Sequence, residues 1–194
     1  MDELTLAQIH ELCLQATQEA IHGFGWVNID VGALNEEEMR LLEMGSINSV
    51  LNWRWAMERY SGEAADGLLH ISIKLIGHQA ANTLHAAIIC KYDFRRSQFA
   101  LCMLENFLEG NVTQMTGKVL IIALVYATTF CKAIGIDEIY IQNPTPGSRQ
   151  RYVTYGFAQV WDDADKMSAS VNNILLHIKA KVAAIELGNS SDRS

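Results

Sequence analysis

The spacing of apolar residues divides the first third of the chain into helices with a period near 3.6. Behind Thr5, a residue type that caps helices, apolar side chains recur at helical spacing and predict a helix over residues 6 to 22. Asn35 and Glu38 have the order of a capping box, which predicts a second helix over residues 36 to 44. A third helix is predicted over residues 47 to 60, with aromatic residues that cannot all face one side.

Strict alternation of apolar and polar residues then predicts strands. The segment LLHISIKLIG, residues 68 to 77, has the period of a half-buried strand. TLHAAIICKYDF and QFALCMLENFL are two further strand-like runs, and the short polar link between them predicts an antiparallel hairpin. Shorter strands are predicted at residues 26 to 31, in DEIYIQN and in FAQVW.

Helical spacing returns in the second half of the chain. Residues 118 to 133 are rich in Ala, Leu and Ile and predict a long apolar helix that stops at Gly135. GSRQRYVTYG predicts a short helix that ends at Gly156, and residues 171 to 187 predict a terminal helix. We expect disorder over residues 189 to 194. This order of elements indicates one mixed α/β domain over residues 1 to 188.

Composition narrows the class of protein. A net charge of −7 over 194 residues, with no basic run, argues against nucleic acid as a general partner. The acidic N-terminus lacks the order of a signal peptide, and the most apolar window, residues 119 to 130, is too short to cross a bilayer. We therefore expect a cytoplasmic protein with no membrane partner. The four cysteines lie far apart, which predicts reduced, mostly buried thiols and no metal.

The loop GNVTQMTGKV stands in front of the long apolar helix. The first N–H groups of a helix have no partner within it, and with the helix dipole they form an anion site. Gly110 and Gly117 give the loop backbone freedom, and Lys118 adds a positive charge. The sequence has neither the spacing of a P-loop nor a GxGxxG fingerprint.

The segment Gln114, Met115, Thr116, Gly117, Lys118 and Val119 resembles the Gln/Arg-x-x-Gly-x-Gly/Ala loop of the GCN5-related N-acetyltransferases. In that superfamily the loop binds the pyrophosphate of coenzyme A between the fourth strand and the third helix. Downstream, SRQRYVTYGF is similar to the family's A-x-x-x-Tyr-x-x-x-Gly-Phe, with Ser148 at the small position and Tyr152 at the tyrosine. The resemblance covers residues 68 to 161 and implies a mixed sheet of six to seven strands, antiparallel in its first half, flanked by helices.

The sequence departs from the family pattern at two places. Val119 stands where the family has Gly or Ala, and so crowds the position nearest the phosphates. NPTPG replaces the family's Asn before the short helix, with Thr145 at the matching offset and Asn143 two residues earlier. These departures keep open the alternative of a catalytically silent module with the same fold that binds or regulates.

The resemblance assigns roles to individual residues. Tyr152 is the candidate acid that protonates the departing thiolate, or else packs against the cofactor, and Tyr155 competes for that assignment. Glu105 is the candidate base, since burial near the end of the strand would let its carboxylate take the amine proton. Glu109 lies in the same stretch, and the alternative is that Glu105 is an ordinary strand-end carboxylate without a catalytic role. The resemblance implies that residues 104 to 108 present unpaired backbone amides beside the acyl group, and that the strand carrying Leu104 and Asn106 has a bulge. The implied cofactor contacts are Leu104, Asn106, Gln114, Met115, Thr116, Gly117, Lys118, Val119, Ser148 and Tyr152.

The function implied is direct acyl transfer from acetyl-CoA, or another acyl-CoA, to an amine of a small molecule or peptide. Residues 1 to 67 would form the acceptor side, residues 68 to 161 the cofactor core, and residues 162 to 188 a C-terminal segment. The acidic balance slightly favours a cationic acceptor. Trp53 and Trp55 line the acceptor pocket or simply pack, and homodimerisation is possible. Donor chain length stays open.

Overall fold

The computed structural model describes residues 5–45, 47, 49–60, 67–78, 84–107 and 117–191, with side chains to 188. Its six helices are α1 (Leu6–Gly23), α2 (Glu36–Glu43), α3 (Trp53–Tyr60), α4 (Val119–Ile134), α5 (Pro146–Val153) and α6 (Val171–Ser191). Its seven strands are β1 (Ile29–Ala33), β2 (Leu68–Gly77), β3 (Leu84–Asp93), β4 (Gln98–Asn106), β5 (Glu138–Gln142), β6 (Ala158–Val160) and β7 (Asp163–Ser170).

The seven strands form one mixed sheet in the order β1-β2-β3-β4-β5-β7-β6. β1 to β4 pair antiparallel, as the sequence predicts for the first half. β4 and β5 are parallel, because α4 carries the chain across one face of the sheet between them. The fold class predicted from the sequence, with about seven strands and flanking helices, is confirmed.

Alternate residues of β3 belong to two different apolar cores. Ala86, Ile88 and Cys90 join the larger core, which is built with α1, α4 and α6. Ala87 and Ile89 join a smaller core, where the buried aromatic residues of α3 cover the other face. A strand buried on both faces has lost the apolar-polar alternation of a half-buried one, as the run AAIIC shows.

Both predicted helix caps are present. Thr5 and Gln8 form a capping box at the start of α1, and Asn35 and Glu38 form another at the start of α2. At the end of α4, Gly135 takes the left-handed conformation (φ 75°) that stops the helix. The predicted hairpin is confirmed as well, with Asp93 paired to Gln98 across the turn.

Several predicted elements have other bounds in the structure, among them α5, which ends at Val153 and not near Gly156, and one observed strand was not predicted. The first strand begins at Ile29 instead of residue 26. The third helix begins at Trp53 instead of residue 47, because Asn52 accepts the backbone N–H of Trp55 and starts the helix there. α6 continues to Ser191, past residue 188 where disorder was expected. β7 was not predicted, because its sequence DADKMSAS is polar and its pairing with β5 and β6 is tertiary.

Among the described residues, no helix is both long and apolar enough to pass through a bilayer.

Candidate active site

The parallel strands β4 and β5 separate part of the way along their length. They pair over only three positions, from Phe99 opposite Ile139 to Leu101 opposite Ile141. Beyond Leu101, β4 continues to Asn106 along β3, and β5 ends at Gln142. The backbone of residues 102 to 106 therefore has no β5 neighbour and faces an opening in the sheet.

A β-bulge marks the point of separation. Ile89 pairs with Met103 and Cys90 pairs with Leu101, so Cys102 is the extra residue of β4. The resemblance implied a bulge in this strand, and β4 has one. The expected amides of residues 104 to 108 stay a prediction, and residue 108 lies outside the described residues. A bulge bends its strand and increases the local twist, which turns the end of β4 away from β5.

A cavity of about 920 Å³ fills this opening. Its lining comes from the segment before α3, from α3, β4 and α4, from the β5–α5 connection, and from α5 and α6. Seven of the sequence-predicted site residues line it: Leu104, Glu105, Asn106, Gly117, Val119, Ser148 and Tyr152. Gln114, Met115 and Thr116 lie outside the described residues.

The N-terminus of α4 opens on this cavity. Gly117, Val119, Leu120 and Ile121 line it, and the first backbone hydrogen bond of the helix runs from Ile122 N to Lys118 O. The N–H groups of residues 119 to 121 therefore have no acceptor within the helix, and the bonds of the described residues give them none outside it. Together with the helix dipole, they suit an anion such as a phosphate.

Lys118 does not direct its charge into the cavity. Its Nζ lies 5.1 Å from the centroid of the Trp26 ring, and burial lowers the pKa of its ammonium. The role of Lys118 as a cofactor contact stays a prediction; its side chain lies over Trp26 and is not among the residues that line the cavity. Val119 belongs to the larger core and its side chain is only 6 % exposed, so much of its bulk is taken up by packing.

Tyr152 lies on α5 and is buried against Phe157 while lining the cavity. Burial raises the pKa of its phenol to about 12, and the Arg151 charge and the Ser148 hydrogen bond oppose that effect only in part. The phenol is therefore protonated at neutral pH and able to donate a hydrogen bond. Tyr155 also lines the cavity, but its ring is covered by the ammonium of Lys181 at 4.9 Å.

Glu105 lines the cavity from β4 with a buried carboxylate. Its Oε1 accepts the backbone N–H groups of Val50 (2.5 Å) and Leu51 (3.4 Å), and its Oε2 accepts Trp53 Nε1 at 2.7 Å. Three donors from the segment before α3 thus hold the candidate base, and Glu105 anchors that segment to the end of β4.

The structure adds cavity residues that were not predicted as site residues, although Asn143 was noted for its position in the NPTPG stretch. Tyr60 accepts a hydrogen bond from Asn143 Nδ2 at 2.9 Å, and both line the cavity where β5 leaves the sheet. Asn143 has φ 50°, a left-handed conformation that Asn tolerates better than most residues. Lys181 and Ile185 reach the cavity from α6. Only three-dimensional packing brings these elements together, so no local pattern signals them.

Two tryptophans and two arginines near the site have different roles: one of each pair lines the cavity, and the other makes structural contacts. Trp53 is buried in the smaller core, whereas Trp55 is partly exposed and lines the cavity. Arg151 lines the cavity, but Arg149 bonds to Gln159 and to the Ala164 carbonyl, which is a structural role.

The histidines of the strands and of α1, and the four cysteines, have structural contacts, except that the buried Nε2 of His70 has no hydrogen-bond partner among the described residues. His10 bonds to Tyr126, His85 accepts the Gly77 N–H, and burial lowers the pKa of His70. The four thiols are free, and three of them are buried, as predicted. Within the described part of the chain, no three His, Cys, Asp or Glu side chains lie close enough to hold a metal ion.

No family profile and no curated protein sequence matches this chain. Several solved structures, however, are similar to it. A crystal structure of AtaTR bound with AcCoA superposes with a TM-score of 0.55 at 13% identity, covering 77% of this chain and 97% of that one. The KacTA–DNA complex has a TM-score of 0.51 at 10% identity, with 78% and 99% covered. A spermidine N-acetyltransferase SpeG chimera from Vibrio cholerae and hSSAT has a TM-score of 0.51 at 12% identity, with 76% and 98% covered.

These likenesses establish the fold. The chain has the GCN5-related N-acetyltransferase fold that the resemblance in the sequence implied. At identities of 10 to 13%, the likeness extends to the architecture and not to the activity.

Proposed function

We propose that this protein is an N-acyltransferase that uses an acyl-CoA, with acetyl-CoA as the donor, and transfers the acyl group directly to an amine of a small molecule or a peptide. The observation that carries the proposal is the separation of β4 from β5 after three residue pairs, with a cavity in the gap. The same cavity receives the N-terminus of α4 and the Tyr152 phenol.

The groups that line the cavity suit the binding and charge stabilisation that acyl transfer requires. The N–H groups at the start of α4 suit the pyrophosphate of coenzyme A. Residues 102 to 105 of β4 lie beyond its pairing with β5, so the N–H groups that they turn away from β3 can donate to the thioester carbonyl, whose oxygen gains negative charge as the amine attacks. Most of the rate gain in such a reaction comes from positioning and from these fixed donors.

Tyr152 serves as a hydrogen-bond donor to the departing sulfur. A phenol with a pKa of about 12 is a weaker acid than an alkyl thiol with a pKa of about 8.5, so proton transfer to an exposed thiolate would be uphill. Burial raises the pKa of a thiol as it does that of a phenol, which brings the two closer together inside the cavity.

The second candidate is a binding or regulatory module without catalysis. The contacts of Glu105 favour it, since three donors already occupy the candidate base. The departures at Val119 and in NPTPG point the same way.

A thermal-shift titration with acetyl-CoA tests cofactor binding. A ligand at 100 times its Kd stabilises a protein by about 2.7 kcal/mol, which for a chain of this size raises Tm by roughly 5 to 10 °C. An unchanged Tm would overturn the proposal. If Tm rises, release of free thiol with a panel of amines tests the chemistry, and binding without release from any amine would favour the silent module.

A further inference from the structure

One end of the cavity is walled by apolar side chains that are open to solvent. Val50 is 90 % exposed and Trp55 is 46 % exposed, and both line the cavity together with Leu51. Cys102 and Met103 of β4 complete the lining at this end. Large apolar side chains that stay exposed on a concave surface are typical of ligand pockets.

Among the described residues, two cations lie against the aromatic rings at this wall without lining the cavity themselves. The Arg59 guanidinium lies 5.2 Å from the Trp55 ring centroid, and Lys91 Nζ lies 5.7 Å from the centroid of Tyr60. The carboxylate that lines this end, Glu105, already accepts three N–H donors from residues 50, 51 and 53. An acceptor that brought a second ammonium group here would place it beside two cations, which costs free energy.

Hydrogen bonds hold this apolar wall, formed by Val50, Leu51 and Trp55, in place. Glu105 ties Val50 and Leu51 to β4, and the Asn52 side chain caps α3 by accepting the N–H of Trp55. The apolar surface is therefore preformed, and a ligand that covers it does not have to order it first.

We propose that the amine acceptor is a monoamine with an apolar body, best an aromatic one, and without a second positive charge. This proposal rests on the transferase function and specifies its substrate class. In the reaction the amine nitrogen forms a C–N bond to the acyl carbon and the C–S bond of the thioester breaks. The amine loses a proton and the coenzyme A sulfur gains one.

The test compares 2-phenylethylamine with spermidine as acceptors for the full chain, with acetyl-CoA as the donor and free thiol as the readout. We expect kcat/KM for 2-phenylethylamine to exceed that for spermidine at least about tenfold. In the presence of coenzyme A, which does not react, 2-phenylethylamine is expected to raise Tm further and spermidine is not.

Two variants connect this selectivity to the wall. Trp55→Ala is expected to lower kcat/KM for 2-phenylethylamine about tenfold or more, mainly through KM, because truncating an aromatic anchor removes its contact area. Trp55→Phe should restore most of the loss. Trp161→Ala, at a 98 % exposed tryptophan that does not line the cavity, is the matched control and should change nothing.

Spermidine accepted as well as or better than 2-phenylethylamine would overturn this proposal while leaving the transferase function in place. The same holds if Trp55→Ala leaves both the kinetics and the second Tm shift unchanged. Failure of acetyl-CoA itself to raise Tm would instead overturn the transferase function and the acceptor class with it.

Discussion

Tyr152 and Tyr155 lie three positions apart on and just after α5, and both line the cavity. The two tyrosines differ in the side chains that they contact. Tyr152 is within hydrogen-bond reach of Ser148, whereas the ring of Tyr155 is covered by Lys181. Lys181 also donates to Thr154 at 3.0 Å, which ties α6 to the end of α5. Tyr152 is therefore the better candidate for contact with the reacting sulfur.

Replacing Tyr152 by Phe is expected to lower kcat about 10- to 100-fold, because one hydrogen bond to the departing thiolate is lost. Tyr155→Phe is the matched control and should retain most of the activity. Equal turnover by wild type and Tyr152→Phe, measured by thiol release, would remove Tyr152 from the mechanism.

The pH dependence provides a second readout for the same tyrosine. An ordinary tyrosine loses its proton near pH 10, but the raised pKa of about 12 keeps Tyr152 protonated above that value. The kcat of the wild type should therefore show no alkaline decline from Tyr152 below about pH 11. A decline in the wild type near pH 10 that is absent from Tyr152→Phe would contradict the raised pKa.

Glu105 has two possible roles that mutation separates. As an anchor, its replacement by Gln puts an amide donor where three N–H donors converge, which should lower the free energy of unfolding by about 2 kcal/mol. Trp53→Phe removes one of those donors and leaves the carboxylate in place. If Glu105 acts as an anchor, both variants should raise KM for the amine and keep the wild-type pH profile.

If Glu105 is instead the general base, Glu105→Gln alone should abolish the acid limb of kcat/KM, and Trp53→Phe should not. A pH profile of kcat/KM for both variants decides between the two roles.

A glycine stands at each end of α4, and only the glycine at its start lies at the cavity. Gly117 before its first turn has φ 74° and Gly135 after its last has φ 75°, and a Cβ at either position would meet no atom of the described residues within 4 Å. An alanine at either glycine is therefore strained by the backbone alone and costs about 1 kcal/mol of stability. Only Gly117 lines the cavity.

Gly117→Ala is accordingly expected to weaken acetyl-CoA binding about tenfold, since relief of the strain turns the N–H groups of the first turn away from the phosphates. Gly135→Ala should lose similar stability and bind acetyl-CoA normally. Calorimetric titration of both variants checks this, and equal affinities would mean that the start of α4 does not hold the cofactor.

At the scale of the whole molecule, the stability of the core depends on α6. This helix follows the last strand and packs against α4. Ile174, Ile178 and Val182 of α6 join the larger core. On the outer surface of the same helix, Leu176 is 69 % exposed. α6 therefore completes the core and also supplies Lys181 and Ile185 to the cavity.

Ile178→Ala is expected to lower the free energy of unfolding by about 2 to 5 kcal/mol, because it leaves a hole between α6 and α4. Leu176→Ala on the same helix should change it by less than about 0.5 kcal/mol. Urea unfolding of both variants measures the difference. Equal values would mean that α6 is not part of the cooperative core.

The sequence by itself determined the helices, most of the strands, the caps at Thr5 and Asn35, and the stop at Gly135, because each depends on residues a few positions apart. The motifs around Gly117 and Tyr152 also indicated the fold that the solved structures confirm. Polar β7 escaped prediction, because its pairing with β5 and β6 is tertiary. The start of α3 was placed too early, although the Asn52 cap that sets it is local.

Only the tertiary structure decided what meets at the cavity. The bulge at Cys102, the parting of β4 from β5, and the three donors on Glu105 all arise between elements far apart in the chain. The apolar wall beside Trp55 has the same origin. The periodicity of apolar residues indicates which face of an element is buried and not which other element covers it. The set of residues that meet at this cavity therefore depends on the tertiary structure.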